Sequence, residues 1–454
     1  MADERENEVQ SQVPEKDIAG RLQQDTVALE KFGGFDIVET SIQGVQNLNP
    51  KRKARKNIFL TEERNNGERN ELKARLQLWH DFLNESDDIS ELVDKAEERS
   101  QKASKLLTKN LSSAVEKAKD LERSYRSLAL FFKNTEKDRL ANVTIMNAEM
   151  EQLTDGDVPT FYEAVREEFA DTYDRLDLRD NYSLLVLPGY LGSNPKLERW
   201  AKLAHKNKVM LVTDFMHLDS PEDVVDMFKS ANLTGGDAYR SNVIMGCNWL
   251  VGREKHEELG EEEELYVPPS GALAGIIYRT LMSQVAAGKK FGGLNEVEGV
   301  SFDLRKSEIA NLEKMGLVPM VFEYGKVMAF SAKTLFNGDN LGLQTYSVVR
   351  VFDWVIKVLM DFLNRRAFEN FNTQTQKEIR LQIAKFLDSI SGPGKLIQKF
   401  KIRKFDQDPK QKDRIYLDIH ITPYFPAKDF MVKLDGKKGD DPDSADWEAE
   451  YEQM

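Results

Sequence analysis

Two glycine-containing turns have the residue types that could hold a phosphate group. Gly189–Gly192, with the sequence G-Y-L-G, follows a short apolar run and precedes a predicted helix, and helix N-termini bind anions. The segment is neither G-x-G-x-x-G nor a P-loop, because no Lys-Ser/Thr pair follows it. Gly288–Lys290 also lacks the earlier glycine and the hydroxyl residue of a P-loop. Both segments are therefore interpreted as ordinary turns.

The other candidates for catalysis or metal binding are isolated residues. Asp214 and His217 lie at the end of a predicted strand, where α/β enzymes keep their sites, but two residues of one loop do not make a catalytic site. Ser270 lies in P-S-G-A rather than in a G-x-S-x-G elbow. Cys247 is the single cysteine, which excludes an intrachain disulfide and any multi-cysteine metal site. We therefore expect no catalytic, metal or cofactor site, and the pattern favours a role in assembly over an enzyme.

The composition excludes further classes of protein. The chain has 454 residues, and 64 Lys and Arg against 77 Asp and Glu give a net charge of −13. A general nucleic-acid binder needs a basic face for the phosphates, so we expect no nucleic-acid partner. The first residues, MADERENEVQ, predict no secretion signal, and no run of about 18 apolar residues predicts a membrane span. A cytoplasmic protein is expected.

The elements that must position any site begin with a polar extension over residues 1–68. Within it, Asp17–Lys31 predicts a short amphipathic helix with three apolar residues on one side, Ile18, Leu22 and Leu29. Lys51–Lys56 is a basic run, which is interpreted as a solvated flank or as a patch for an acidic partner.

Residues 69–130 are predicted to be helical, with a break near Asp88 and Glu91, which resemble a helix-capping pair. Eight residues then follow one another at spacings of three and four: Ala103, Leu107, Leu111, Ala114, Ala118, Leu121, Tyr125 and Leu128. This apolar stripe approximates the 3.5-residue repeat of helices that pack along one another. Packing within the chain and contact with a second subunit both remain open.

Residues 131–266 are predicted to form a central α/β domain. Asn142–Met146 has the pattern of a strand, and apolar runs at 182–187, 209–212 and 242–245 alternate with helix-start signals at Pro195 and Ser220. This alternation is typical of a parallel sheet layered with helices.

Residues 267–434 are predicted to contain a helix from about Leu273, a hairpin around Gly325, helices over 351–371 and 376–391, and two alternating strands at 400–405 and 415–422. Residues 435–454 carry eight acidic residues and two lysines, a composition that predicts a disordered tail.

Several segments, read in order, resemble a known family. Leu121–Leu128, L-E-R-S-Y-R-S-L, is similar to an L-E-x-x-W-R-x-L stretch, with Tyr125 in place of the usual tryptophan. Met315–Met320 is similar to a run ending in G-F-I-P-L, and Met328–Leu335 to an A-x-F-x-x-x-x-L segment. Pro268–Gly275 is similar to a segment of phage and pyocin-type sheaths. The set resembles the large subunit of the type VI secretion contractile sheath, the TssC/VipB family, in a divergent branch.

The resemblance implies a fold and a set of partners. The implied fold class is mixed α/β and α+β: N-terminal helices, a central layered α/β sheet, and a C-terminal sheath-type domain with strands shared between subunits. The implied function is a structural subunit that pairs with a small TssB-type subunit, builds a helical tube around an inner Hcp-type tube, and contracts to propel it. Further copies of the chain, the baseplate and a ClpV-type AAA+ ATPase are the other implied partners.

Each implied contact has candidate residues. The apolar stripe is the candidate small-subunit interface, and Ile18, Leu22 and Leu29 are the candidate ATPase-recognition helix. Strand sharing is assigned to six residues, Phe400, Ile402, Ile415, Leu417, Ile419 and Ile421. Two alternatives are a nucleotide-dependent α/β enzyme and a tail-sheath protein of another contractile particle.

Overall fold

The computed structural model describes residues 62–136, 140, 142–154, 160–173, 175, 177, 181–428, 430–436 and 447–452. The chain divides into two compact units. The first consists of Met1–Ala118 with His256–Glu261, and the second of Lys119–Lys255 with Glu262–Met454. The candidate ATPase-recognition residues Ile18, Leu22 and Leu29 lie outside the described residues.

Two helices account for most of the described part of the first unit. Helix α1 spans Asn66–Leu83, and helix α2 spans Ile89–Asn134 and continues into the second unit. Asp88 caps α2 as predicted, because its carboxylate accepts a hydrogen bond from the Ser90 N–H at 2.9 Å, whereas Glu91 accepts from the Ser86 hydroxyl at 2.6 Å. Arg99 fixes the two helices to each other by pairing with Glu85 at 2.5 Å and lying 5.2 Å from the Phe82 ring centroid.

The second unit contains the remaining helices and strands. Its helices are α3 Met150–Thr154, α4 Thr160–Tyr173, α5 Asn194–Lys206, α6 Pro221–Ala231, α7 Ser270–Arg279, α8 Gly288–Phe291, α9 Lys306–Lys314, α10 Leu341–Gln344, α11 Tyr346–Asn364 and α12 Thr373–Ser389. Its strands are β1 Leu184–Leu187, β2 Met210–Asp214, β3 Val243–Cys247, β4 Leu250–Arg253, β5 Leu265–Val267, β6 Gly299–Val300, β7 Leu317–Glu323, β8 Lys326–Ala329, β9 Ile397–Gln407, β10 Ile415–Pro423, β11 Met431–Gly436 and β12 Trp447–Glu452.

A five-stranded sheet with the order β1-β2-β3-β7-β8 lies at the centre of this unit. The first four strands are parallel, which confirms the predicted layered sheet. Strand β8 is antiparallel to β7, and the turn between them places Tyr324 and Gly325 at φ of 55° and 72°, as a tight hairpin requires. Both hairpin strands lie in the range assigned from the sequence to the C-terminal domain.

Apolar side chains cover both faces of the sheet, because successive strand residues point to opposite sides. Leu211 packs with α5, α6 and α9, whereas its neighbours Met210 and Val212 pack with α7 and the start of α11. Both clusters are almost fully buried. The result is a helix–sheet–helix sandwich, in which the two ends of the strands are the places where loops can position polar groups.

The predicted strand at Asn142–Met146 is wrong. Residues 142–149 pair with no strand of the described chain, and Val143 and Ile145 remain exposed. The Val-Thr-Ile sequence has β propensity, but a strand forms only where a neighbour completes its hydrogen-bond ladder. The Thr144 hydroxyl contacts the Tyr182 hydroxyl instead.

The C-terminal part has a separate core. Helices α11 and α12 pack against one face of the antiparallel pair β9–β10, around Val355, Ile383, Leu387 and Phe405. A second antiparallel pair joins β11 to β12. The prediction of a disordered tail over 435–454 is therefore wrong for Trp447–Glu452, because W-E-A-E-Y-E alternates apolar and charged residues with the period of a strand, which an overall composition conceals.

Candidate assembly interface

Asp214 connects three elements at the carboxyl end of the sheet. Its two carboxylate oxygens accept hydrogen bonds from the Gly189 N–H at 2.9 Å and from the Ser270 N–H at the start of α7 at 2.7 Å. Complete burial raises the pKa of Asp214 to about 7. The Gly189 N–H already donates to the Asp214 carboxylate, so a phosphate at this turn would compete with that carboxylate for the same donor. The arrangement holds the turn after β1 and the start of α7 in place.

The other isolated candidates are also structural. His217 lies 4.5 Å from the Tyr266 ring, and burial lowers its pKa. Cys247 is fully buried, and burial raises the pKa of its thiol. Over the described residues, no group of three or more His, Cys, Asp and Glu side chains is arranged to hold a metal ion, and no helix is long and apolar enough to cross a membrane.

The last turns of α2 pack closely against α7. Gly271 and Gly275 of α7 face this contact, because a Cβ at Gly275 would lie 2.8 Å from the Phe131 carbonyl oxygen, and one at Gly271 would overlap the Ser127 carbonyl. Leu130 is buried in the same contact. The small residues of S-G-A-L-A-G therefore allow the backbones of α2 and α7 to approach each other closely.

Charged residues fix the preceding turns of α2 to the strands β4 and β5. Arg123 Nε donates to the Tyr266 carbonyl at 3.0 Å, and Arg126 Nη1 donates to the Gly252 carbonyl at 2.7 Å. Glu122 accepts from Arg126 Nε at 2.8 Å and from Arg253 Nε at 3.1 Å. In these contacts, guanidinium N–H groups donate to strand carbonyls. A guanidinium carries several donors in one plane, so these contacts fix the position of the helix relative to the strands.

The apolar stripe lies mostly on exposed faces of α2. Leu107 and Leu111 are 44% and 46% exposed, and Leu121 and Tyr125 are 75% and 70% exposed. Ala114, Ala118 and Leu128 are exposed too, and Ala103 alone among the eight is buried. Of the two interpretations left open by the sequence, packing against the described residues of the chain does not account for these seven. A row of exposed leucines at this spacing is typical of a helix that packs against a partner.

The six strand-sharing candidates lie on one antiparallel pair, as their alternation predicts. Five of them, Phe400, Ile402, Leu417, Ile419 and Ile421, pack partly buried against the C-terminal core, whereas Ile415 is exposed at the strand end. Apart from one bridge between Ser391 and Ile397, β9 and β10 pair only with each other among the described residues. Each strand therefore presents backbone donors and acceptors along one outer edge.

The match to family models decides the relationship of the chain. The TssC/VipB-like N-terminal region matches residues 22–111, the type VI secretion system TssC/VipB central domain matches 113–337, and the TssC/VipB-like C-terminal domain matches 345–453. The chain belongs to the TssC/VipB family. As a member of the TssC/VipB family, it is a structural subunit of a contractile sheath.

Solved structures of contractile particles are similar to this TssC/VipB protein. A chain of the anti-feeding prophage baseplate, 6-fold symmetrised, aligns with a TM-score of 0.48 at 18% identity, over 69% of this chain and 80% of that chain. A chain of the contracted anti-feeding prophage helical sheath gives 0.47 at 18%, over 69% and 81%. The contracted PVC sheath complex of an extracellular contractile injection system gives 0.45 at 16%, over 57% and 72%. No curated protein matches the chain.

Sequence patterns did not reveal which residues fix the last turns of α2 to β4, β5 and α7. The apolar residues of L-E-R-S-Y-R-S-L point outward, and Glu122, Arg123 and Arg126 make the contacts within the chain. One signal was available, since Ser127, Leu130 and Asn134 continue at helical spacing opposite G-x-x-x-G in α7. In the sequences of α2 and α7, only these small residues indicate a close contact between the two helices.

Proposed function

We propose that this chain pairs with a small TssB-type subunit through the apolar stripe of α2, and that the pair builds the sheath tube. The exposed leucines of the stripe support this proposal more than any other observation. A long helix with a continuous apolar row on its exposed side leaves surface in water that a second helix would bury at about 25 cal/mol per Å². Polar groups on the other faces keep the unpaired chain soluble.

Joining of pairs into a tube is assigned to the outer edges of β9 and β10. A strand from a neighbouring subunit would extend this sheet with a ladder of backbone hydrogen bonds. The apolar face of both strands is already held by α11 and α12, so the edges are fixed in space before any partner arrives. An interface between different surfaces of identical copies gives a helical filament when it does not close on itself.

Contraction in this proposal needs no chemistry in the chain. Subunits would move from an extended packing to a tighter one while the shared strands keep them connected. The inner Hcp-type tube, the baseplate and a ClpV-type ATPase are proposed partners, with Ile18, Leu22 and Leu29 as the ATPase-recognition residues. The cytoplasm is the proposed location.

The test introduces charge into the stripe. Replacing Leu107→Asp and Leu111→Asp together places two carboxylates on the proposed interface, and we expect loss of co-purification with the co-expressed small subunit. The matched control is Lys109→Asp with Ser113→Asp, two exposed positions of α2 shifted by about half a turn. Circular dichroism of both variants checks that helix content is unchanged. Retained pairing in the leucine variant would refute the assignment.

A further inference from the structure

A charged cavity lies at the end of the central sheet opposite to Asp214. It has a volume of about 360 Å³ and is formed by α11, by the residues that lead into β1, and by Lys208 and Met210 at the start of β2. Trp354 and Val358 contribute apolar wall, and Arg350, Asp353, Lys357 and Asp361 contribute charge. We call it the Arg350 cavity.

All but one of the buried charges in this wall have a partner. Lys357 Nζ donates to Asn181 Oδ1 at 2.6 Å and to the Tyr182 carbonyl at 2.7 Å. Asp353 Oδ2 accepts from Asn242 Nδ2 at 2.7 Å, and its other oxygen lies 4.0 Å from Lys208 Nζ.

Arg350 is the exception. The side chain is only 8% exposed, and its Nη1 finds no hydrogen-bond acceptor among the described residues. No carboxylate of the described chain forms an ion pair with it. Burial lowers the pKa of Arg350 to about 10 and that of Lys357 to about 8, because removal from water disfavours the charged form of both side chains.

An unpaired buried cation is unfavourable unless an anion joins it. The wall carries three cations and two carboxylates, and one of these carboxylates, Asp361, is ion-paired at 2.9 Å with Arg365 outside the wall, so positive charge is in excess. A dianion such as phosphate would be repelled by Asp353 and Asp361. The apolar part of the wall suits a short hydrocarbon stem.

We propose that the Arg350 cavity binds a single carboxylate, held by Arg350 with Lys208, with its carbon stem against Trp354. Two sources present this chemistry: a free small carboxylic acid, or a Glu or Asp side chain of a neighbouring subunit. The second source rests on the sheath function proposed above, whereas binding of the carboxylate itself does not.

The first experiment measures thermal unfolding of the purified chain in sodium acetate, sodium propionate, sodium phosphate and sodium chloride at equal ionic strength. We expect a saturable rise of the midpoint with acetate and propionate that exceeds the effect of phosphate and chloride. Arg350→Gln should weaken this apparent affinity at least about tenfold, since a charged donor is lost. Arg414→Gln, at an exposed position of the β9–β10 loop, is the matched control and should behave as the wild type.

Lys208→Gln keeps the aliphatic stem, should weaken acetate binding several-fold, and gives a second test if Arg350→Gln does not fold. An equal rise in all four salts, or an undiminished rise in both cavity variants, would overturn the proposal.

The second experiment separates the two sources by equilibrium dialysis of radiolabelled acetate against the free chain and against assembled tubes. Uptake by the free chain but not by tubes would show that a neighbour's carboxylate fills the cavity. Equal uptake by both would identify a free acid as the ligand, and uptake by neither would reject the site. Failure to obtain tubes would count against the sheath function and leave the result for the free chain standing.

Discussion

At the residue scale, the polar groups that look like a catalytic site in the sequence are used to hold the fold. Asp214 stands where α/β enzymes place catalytic carboxylates, but both of its oxygens are occupied by backbone N–H groups of two different elements. These two hydrogen bonds, together with complete burial, hold the carboxylate in place within the fold. Its role is to connect the β1 turn to the start of α7.

This burial makes a prediction about pH. Because the pKa of Asp214 rises from 3.8 to about 7, the folded chain keeps a proton that the unfolded chain has released between these values. The stability of the wild type should therefore fall, relative to Asp214→Asn, as the pH rises from about 4 to 7. Urea unfolding at pH 5 and pH 7.5 measures this difference, with the exposed Asp226→Asn as the control. A difference that stays constant with pH would contradict it.

At the element scale, the last turns of α2 are held within the second unit by an unusual distribution of residue types. Guanidinium groups bind strand carbonyls, small residues allow close helix contact, and large apolar residues face water. An amphipathic helix of a single-chain protein usually shows the reverse arrangement. The exposed apolar row suits the contact with a small subunit proposed above.

A single methyl group added to α7 tests the close contact between α2 and α7. Gly271→Ala would place Cβ against the Ser127 carbonyl, so we expect a loss of about 1–3 kcal/mol of stability from overpacking. Gly236→Ala is the control, because nothing lies within 4 Å of a Cβ at this exposed loop position. Chemical unfolding of both variants gives the comparison. Equal stability of the two would show that α2 and α7 can move apart without cost.

At the scale of the whole molecule, the surfaces proposed for assembly are those that other described residues leave uncovered. In the assembly proposed above, the stripe binds the small subunit and the outer edges of β9 and β10 bind a neighbouring pair, so the two contacts use different residues of one chain. A chain with two such surfaces forms a filament rather than a closed dimer.

Strand sharing predicts a separation of two assembly steps. Leu417→Pro removes a backbone N–H from β10 and should block tube formation while pairing with the small subunit persists. Lys412→Pro is the control, because Lys412 occupies the second position of the turn closed by the Arg414 N–H and the Gln411 carbonyl, where proline is favoured. Negative-stain electron microscopy measures tube formation, and co-purification measures pairing with the small subunit. Normal tubes from the Leu417 variant would exclude the edge of β10 as a shared strand.

The sequence by itself determined many local elements of this protein and its family. Hydrophobic periodicity and capping residues located the parallel strands, the Tyr324-Gly325 hairpin and the alternating pair β9–β10, because these signals arise between residues close in the chain. The ordered motifs identified the TssC/VipB resemblance. The short strand Trp447–Glu452 was not predicted, because the acidic composition of the segment indicated disorder more strongly than its alternation of apolar and charged residues indicated a strand.

Only the tertiary structure decided which side of each element is used. It showed that the stripe of α2 faces outward, that Glu122, Arg123 and Arg126 bind the neighbouring strands, and that Asn142–Met146 finds no strand partner. It also brought Lys208 to the same cavity as Arg350, 142 residues further along the chain (350 − 208). Burial and pairing depend on contacts between distant segments, and local periodicity carries no information about which distant segment fills the space.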